Sequence, residues 1–233
     1  MSLHRADNIE WHFLTAAGVM SANDFIISPD ISAIEAYPAS KEPLKLGVLA
    51  SGSGTNFEAV MQAIADGKLN AKVHVLIYNK SKAKAVDRAR CWNVPAVLLK
   101  HRDYPNREAF DRQIVQTLKQ HDVDWVVMAG WMRIATAELL NPFPNRVINI
   151  HPSLLPSFPG THGVGDALKS GVKITGCTVH LASLAVDSGP VLIQAAVPIL
   201  PDDTSETLHA RIQVQEHEIL PRAIAIAAMK YEQ

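Results

Sequence analysis

From Leu44 onward, short apolar runs alternate with longer amphipathic stretches, and this alternation restricts the fold more than any other feature. "LKLGVLA", "AKVHVLIY", "PAVLL", "VDWVVMAG" and "RVINIH" read as strands. Between them, "NFEAVMQAIADG", "KAKAVDRARCW" and "NREAFDRQIVQTLKQH" read as helices. In the first helix Phe57, Val60, Met61 and Ile64 recur at helical spacing, and Gly67 ends the run. In the third, Phe110, Ile114 and Leu118 form one stripe. Strands that alternate with helices predict an α/β fold, an open, mostly parallel twisted sheet with helices on both faces. After Gly160 the rhythm changes. "HGVGDALKSG" predicts a short helix, and "VKITGCTVHLA" and "GPVLIQAAVPI" predict two strands. Their short connection makes them antiparallel or an extension of the sheet. "TSETLHARIQVQEHEILPRAIAIAAMK" predicts a long closing helix, with Thr204 as its cap and a kink at Pro221.

At 233 residues the chain suffices for one well-packed domain with an extension, or two small ones. Nearly half of it is apolar, and a formal net charge of -1 gives no bulk attraction for nucleic acid or anionic membrane. A small anionic substrate is still compatible, because a local site binds one without a basic surface. The two cysteines, Cys91 and Cys177, are far apart and imply no disulfide framework, which suits a reducing cytoplasm. No apolar run approaches the roughly 20 residues that span a bilayer. Residues 1–43 read as an irregular N-terminal extension of unassigned role, and residues 44–233 as the domain that carries the alternating pattern. Within the extension, "HRADNIEWHFLTAAGVM" is too interrupted by His, Asp and Glu for a good signal peptide. "SPDISAIEAYPASKEPLK" reads as a turn-rich arm or linker.

Two places carry chemistry. "ASGSGTN" joins the first strand of the domain to its first helix, at the carboxyl edge where open α/β sheets bind ligands. Gly52 and Gly54 permit a tight turn, and the free amides at Thr55 and Asn56 with the helix dipole favour a phosphate. The loop lacks the Lys of a P-loop. It is also a poor dinucleotide fingerprint, since Phe57 holds the third glycine's place and "YNKSK" offers no acid for a ribose diol. A phosphate outside NAD fits better, and an ordinary tight turn is the simpler account.

The second place is "RVINIHPSLLPSFPG". Asn149 and His151 lie two apart on a strand and so share a face, at a strand end stiffened by Pro152, Pro156 and Pro159. A buried, bonded pair is the simpler account of two such residues alone. Asp187, in the turn "VDSGP", adds a carboxylate within reach of an imidazole. A carboxylate favours imidazolium and holds the ring in one orientation. An Asn amide beside a cationic His makes a donor pair for an oxyanion. The trio suits attack of a neutral amine on a carbonyl, with proton shuttling to the leaving group. No Ser or Cys sits in a nucleophile elbow, which favours direct transfer over an acyl-enzyme. A metal site is the rival, from the C-x-x-H spacing of Cys177 and His180 with His151 and His162 nearby. On a strand, however, residues three apart face opposite sides, so no metal is expected. His180 shares a face with Thr178 and is open between pocket lining and bonded core.

"GVLASGSGTN", "MAGWMRI", "NIHPSLLPSFPG", "GVKITGCTVH", "VDSGPVLIQ" and "QEHEILP", in this order, closely resemble the phosphoribosylglycinamide formyltransferases of purine biosynthesis. The resemblance runs from about Leu44 to the chain end. It implies a formyltransferase-type, Rossmann-like sheet and transfer of a formyl group from 10-formyltetrahydrofolate, as co-substrate, to the amine of glycinamide ribonucleotide. By matching position it implies His151 as the proton-transferring group, Asn149 as oxyanion donor and Asp187 as the partner that raises the His151 pKa. It implies Gly54, Thr55 and Asn56 at the ribonucleotide phosphate, and Glu216 as an acceptor-binding carboxylate, although an exposed helix Glu is the simpler account of that residue. Arg107, Met132, Arg133, Ile134 and Ala135, with Asn149, match the folate pocket, where main-chain groups read the pterin. Two related families share the trio. Methionyl-tRNA formyltransferases carry a further β-rich domain, and formyltetrahydrofolate hydrolases a regulatory domain ahead of the catalytic one. "GTHGVGDAL" is glycine-rich where some members carry more His and Arg, so His162 is given no catalytic role. Hydrolysis and a non-catalytic nucleotide-binding module are the alternative functions. The expected partners are small-molecule substrates, with no nucleic acid or membrane, for a cytoplasmic monomer or homodimer.

Overall fold

The computed structural model describes residues 26–29 and 42–231. Most of the N-terminal extension, with its signal-peptide and linker readings, lies outside the described residues. One short piece belongs to the fold: β1 (Ile27–Ser28) pairs antiparallel with the last strand, placing Ile27 opposite Ala195.

The body follows in chain order. β2 (Leu44–Ala50) leads into α1 (Thr55–Ala65), then β3 (Ala71–Tyr78), α2 (Ala85–Cys91) and β4 (Ala96–Leu98). A 3₁₀ turn at His101–Asp103 precedes α3 (Arg107–Gln120), β5 (Trp125–Met128), the single-turn α4 (Ala137–Leu140) and β6 (Val147–His151). α5 (Gly163–Ser170), β7 (Ile174–Leu181), β8 (Val191–Pro198) and α6 (Ser205–Tyr231) complete it. The strands form one sheet in the order β1-β8-β7-β6-β5-β2-β3-β4. β2 to β6 are parallel, while β7, β8 and β1 extend the sheet antiparallel from β6. The mostly parallel, helix-flanked sheet expected from the alternating pattern is therefore the observed one, and the two late strands are its antiparallel extension.

Local signals account for the elements. Asn106 caps α3 by accepting the Ala109 N–H at 2.8 Å, and Thr136 caps α4. At the start of α6, Thr204 Oγ1 accepts from Thr207 N–H while Thr207 Oγ1 accepts from Thr204 N–H, a reciprocal cap. α6 continues past Pro221, which is buried within it. One apolar layer joins α1, α2 and α6 to the sheet through fully buried Phe57, Val60, Ala89, Ile148, Ile212 and Ile224. The other joins α3 and α4 to it through Phe110, Ile114, Leu118 and Leu139. Truncating a fully buried Ile or Leu in either layer costs about 2–5 kcal/mol, through lost transfer energy and the cavity left behind.

This topology locates the site. The chain runs β2, β3, β4 to one side and then returns to place β5 on the other side of β2. At such a reversal the loops after adjacent strands diverge and leave a crevice at the carboxyl edge.

Candidate active site

The loops after β2 and β5, the ends of β6 and β7, the turn before β8 and one face of α6 enclose a cleft of about 470 Å³ at that edge. Every predicted site residue lines it: Gly54, Thr55, Asn56, Arg107, Met132 to Ala135, Asn149, His151, Asp187 and Glu216. They come from six segments spread over most of the chain and converge only because the sheet aligns its strand ends.

On β6, Asn149 and His151 face the same way, and the antiparallel β7 sets His180 opposite Asn149 and Thr178 opposite His151. His151 is buried. Its Nδ1 lies 3.4 Å from Asp187 Oδ2, and its Nε2 lies 2.9 Å from the Phe158 carbonyl. A carbonyl only accepts, so Nε2 carries a hydrogen, and Nδ1 is the ring nitrogen beside the carboxylate. Asp187 Oδ2 also accepts the Gly160 N–H at 2.8 Å, and Oδ1 lies 3.4 Å from Asn149 Nδ2. Burial pushes the Asp187 carboxyl up, but His180, the Gly160 N–H and the His151 ring outweigh burial and hold it below the usual carboxylate range. Asp187 has φ 52° and Phe158 φ 55°, both left-handed. An Asp tolerates this region, whereas for Phe it is a strained backbone, held here to aim a carbonyl at the imidazole.

The rim after β6 is stiffened by more than its prolines. Thr178 Oγ1, fully buried, donates to Ser153 O at 2.7 Å and accepts from the Leu155 N–H at 3.0 Å. Gln194 Nε2 donates to the Leu155 carbonyl and to Thr178 Oγ1, both at 2.9 Å. Sequence reasoning missed Gln194 and gave Thr178 no role; the available signal was the period-2 match that put Thr178 on the face of His180. Gly163, at the start of α5, lies against the same ring. A Cβ there would stand 3.1 Å from His151 Nε2 and 3.0 Å from the Phe158 carbonyl.

The glycine loop sits across the cleft. Gly54 caps α1 with φ 74°, and a Cβ on it would meet Ala85 at 2.7 Å. The protein itself therefore requires glycine there, whereas a Cβ on Gly52 meets nothing within 4 Å. Asn56 Nδ2 donates to Glu216 Oε2 at 2.9 Å, which ties the loop to α6. Glu216 is 4 % exposed, so the simpler account of it as an exposed helix residue is wrong. The helix face that carries it turns inward at the cleft. Burial pushes its carboxyl up, only partly offset by Asn56, His209 and His151.

The last wall, Gly130 to Ala135, presents backbone. The N–H and C=O groups of Arg133, Ile134 and Ala135 make no main-chain hydrogen bond among the described residues. Met132 and Ile134 are solvent-exposed, at 62 % and 49 %. Two buried side chains that sequence reasoning missed clamp this segment: Ser51 Oγ accepts the Met132 N–H at 2.9 Å, and Asp111 Oδ2 accepts the Thr136 N–H at 2.7 Å. A planar heterocycle edged with donors and acceptors fits such a wall. Arg107 lines the same end, exposed at the start of α3.

The Cys177–His180 pair does not form a ligand set. Cys177 is fully buried in the apolar layer beside α6, where burial and the nearby Glu216 push its thiol up, and His180 faces Asn149. Among the described residues no three His, Cys, Asp or Glu cluster to hold a metal ion.

Residues 44–224 match the formyl transferase family model. The chain is 39% identical over 180 residues to the phosphoribosylglycinamide formyltransferase of Bacillus subtilis, covering 77% of this chain and 92% of that protein. It is 44% identical over 186 residues to the enzyme of that name from Mycobacterium tuberculosis, covering 80% and 86%. It also matches the trifunctional purine biosynthetic protein adenosine-3 of Drosophila pseudoobscura pseudoobscura at 41% identity, 79% of this chain against only 14% of that protein. The glycinamide ribonucleotide transformylase 1 structure from Symbiobacterium toebii superposes with a TM-score of 0.80 at 43% identity, covering 82% and 90% of the two chains. With fold, cleft and sequence in agreement, the chain belongs to the formyl transferase family.

Proposed function

We infer that the chain is a phosphoribosylglycinamide formyltransferase, which moves the formyl group of 10-formyltetrahydrofolate to the amine of glycinamide ribonucleotide in purine biosynthesis. The observation that carries this reading is the convergence of Asn149, His151 and Asp187 at one point of the cleft. A phosphate-suited loop lies on one side of them and an unpaired main-chain wall on the other.

In the reaction proposed, the ribonucleotide phosphate rests on the amides of Gly54, Thr55 and Asn56 at the start of α1. Glu216 receives the ribose hydroxyls or the amine. The pterin lies along Met132 to Ala135, with Arg107 and Arg133 toward the anionic tail of the folate. The amine nitrogen attacks the formyl carbon and a C–N bond forms, while the carbonyl π pair moves onto oxygen. Asn149 stabilises that oxyanion together with the His151 ring, whose Nε2–H turns to it from the Phe158 carbonyl, in a partly dry site. The intermediate collapses, the bond from carbon to N10 breaks, and the proton lost by the amine ends on N10 by way of His151. Asp187 keeps the ring oriented and compensates its charge. No covalent enzyme intermediate is involved.

The domain reading, an extension before residue 44 and a catalytic unit after it, fits the span matched by the family model. Free Cys91 and Cys177 suit a reducing cytoplasm, and among the described residues no helix is long and apolar enough to cross a membrane. We read the working unit as a monomer or homodimer without a nucleic-acid partner.

The test is a coupled assay with and without glycinamide ribonucleotide. Tetrahydrofolate release that requires the ribonucleotide, matched one to one by formylated product, supports the reading. Formate release at a comparable rate without ribonucleotide would identify a hydrolase. Ligand binding with no turnover, unchanged by His151→Ala, would identify a binding module.

A further inference from the structure

His180 is buried, touches two members of the trio and has no part in the steps above. Its contacts determine its protonation state on the ring. Nδ1 lies 2.9 Å from the Leu181 carbonyl, which only accepts, so Nδ1 carries a hydrogen. Nε2 lies 3.1 Å from the Asn149 carboxamide, and the same Asn149 atom is 3.4 Å from Asp187 Oδ1. An amide oxygen in that place would meet a carboxylate oxygen, acceptor against acceptor. The amide nitrogen suits both neighbours, and with nitrogen there Nε2 must accept. One acceptor pair remains in this arrangement, Nε2 with Asp187 Oδ1 at 3.7 Å, but it is longer than the 3.4 Å that a turned amide oxygen would leave against the same carboxylate. The arrangement with the weakest conflict therefore has the His180 hydrogen on Nδ1 and Nε2 accepting from Asn149. The β7–β8 ladder shifts register between Val179 and His180, an irregularity of the kind that re-aims a side chain beside a site.

We propose that His180 is a positioning residue for formyl transfer: its Nε2 lone pair takes one hydrogen of the Asn149 carboxamide, which holds the amide so that its second N–H is available to the formyl oxygen. This rests on Asn149 being the oxyanion donor. The second N–H has only the long contact to Asp187 Oδ1, at the outer edge of hydrogen bonding. A developing oxyanion is the better acceptor and displaces that contact at little cost. Without His180, the amide is free to turn its oxygen toward the cleft and oppose the charge that forms there.

A double-mutant cycle tests this. His180→Phe keeps an aromatic ring and removes the acceptor. It should lower kcat about tenfold or more, the scale of one lost buried hydrogen bond, with KM for both substrates little changed. In an Asn149→Ala background the same substitution should add almost nothing, because the residue it acts through is gone. His180→Gln, which retains an acceptor, should recover part of kcat. Additive losses in the cycle, or a loss confined to KM, would overturn the proposal. A second readout needs no variant to fold: ¹⁵N NMR of the wild-type chain should show His180 Nδ1 as the protonated nitrogen and Nε2 as the bare one, and the reverse would overturn the proposal equally. If wild-type transfer is robust but Asn149→Ala costs only a few-fold, the oxyanion reading fails, and the NMR result still reports on the His180–Asn149 contact.

Discussion

The two sides of the cleft are built in different ways. On the β6–β7 side the functional groups are side chains: Asn149, His151, Asp187 and His180, each bonded to another or to a strained carbonyl. On the β2–β5 side they are main-chain groups, the amides of the glycine loop and the open backbone of Arg133 to Ala135. A tetrahedral centre that gains and loses charge needs groups that move protons and lie deep, which backbone cannot supply. A flat heterocycle or a phosphate needs an array of fixed donors and acceptors, which backbone supplies well. Substitutions on the first side should therefore act on kcat, and on the second side only where they disturb the backbone.

The sharpest contrast is Asn149→Ala, which removes the proposed oxyanion donor. We expect a loss of about 3 kcal/mol of transition-state stabilisation, or 10²–10³ in kcat, measured at saturating substrate. A loss of only a few-fold would place Asn149 with the structural groups.

Asn56→Ala probes the link between the sides. Asn56 donates to Glu216 and so opposes the upward push of burial on that carboxyl. Without the donor the Glu216 pKa rises further, and the acid is protonated at a higher pH. The pH below which ribonucleotide KM climbs should move upward, because the donor that favours the charged carboxylate is gone. An unchanged KM–pH profile would remove Glu216 from acceptor binding. The smallest effect belongs to Met132→Ala. The side chain is exposed and its backbone N–H is held by Ser51, so kcat and folate KM should change by only about two- to three-fold, on the scale of a surface substitution. A large rise in folate KM would mean that the wall reads its ligand by side chains.

Legibility in the sequence follows the same division. The sheet was readable because apolar periods of two and of about 3.6 alternate cleanly. Asn149 and His151 were readable because strand geometry puts residues two apart on one face. Asp187 was readable because a carboxylate in a tight turn lies at a strand end. Glu216 came only through resemblance: it stands in a polar run, Gln213 to Glu218 broken only by Val214, and nothing local tells which of those polar residues turns toward a cleft. Ser51, Asp111 and Gln194 were not readable at all. Their partners lie 81, 25 and 39 residues away, and those contacts exist only once the sheet has brought the segments together. His180 lies between these cases. Its face was legible, but its role depends on the orientation of a neighbouring amide, which needs coordinates.

The central claim is that the β6–β7 corner performs transfer while the β2–β5 wall and loop bind. Equilibrium binding of each substrate and single-turnover transfer, measured together on His151→Ala, test it most directly. The account predicts that both substrates bind within about threefold of wild type while transfer falls by about 10²–10⁴, the range for loss of a general acid–base group. Transfer retained within a few-fold, or a loss explained by failed binding, would contradict it.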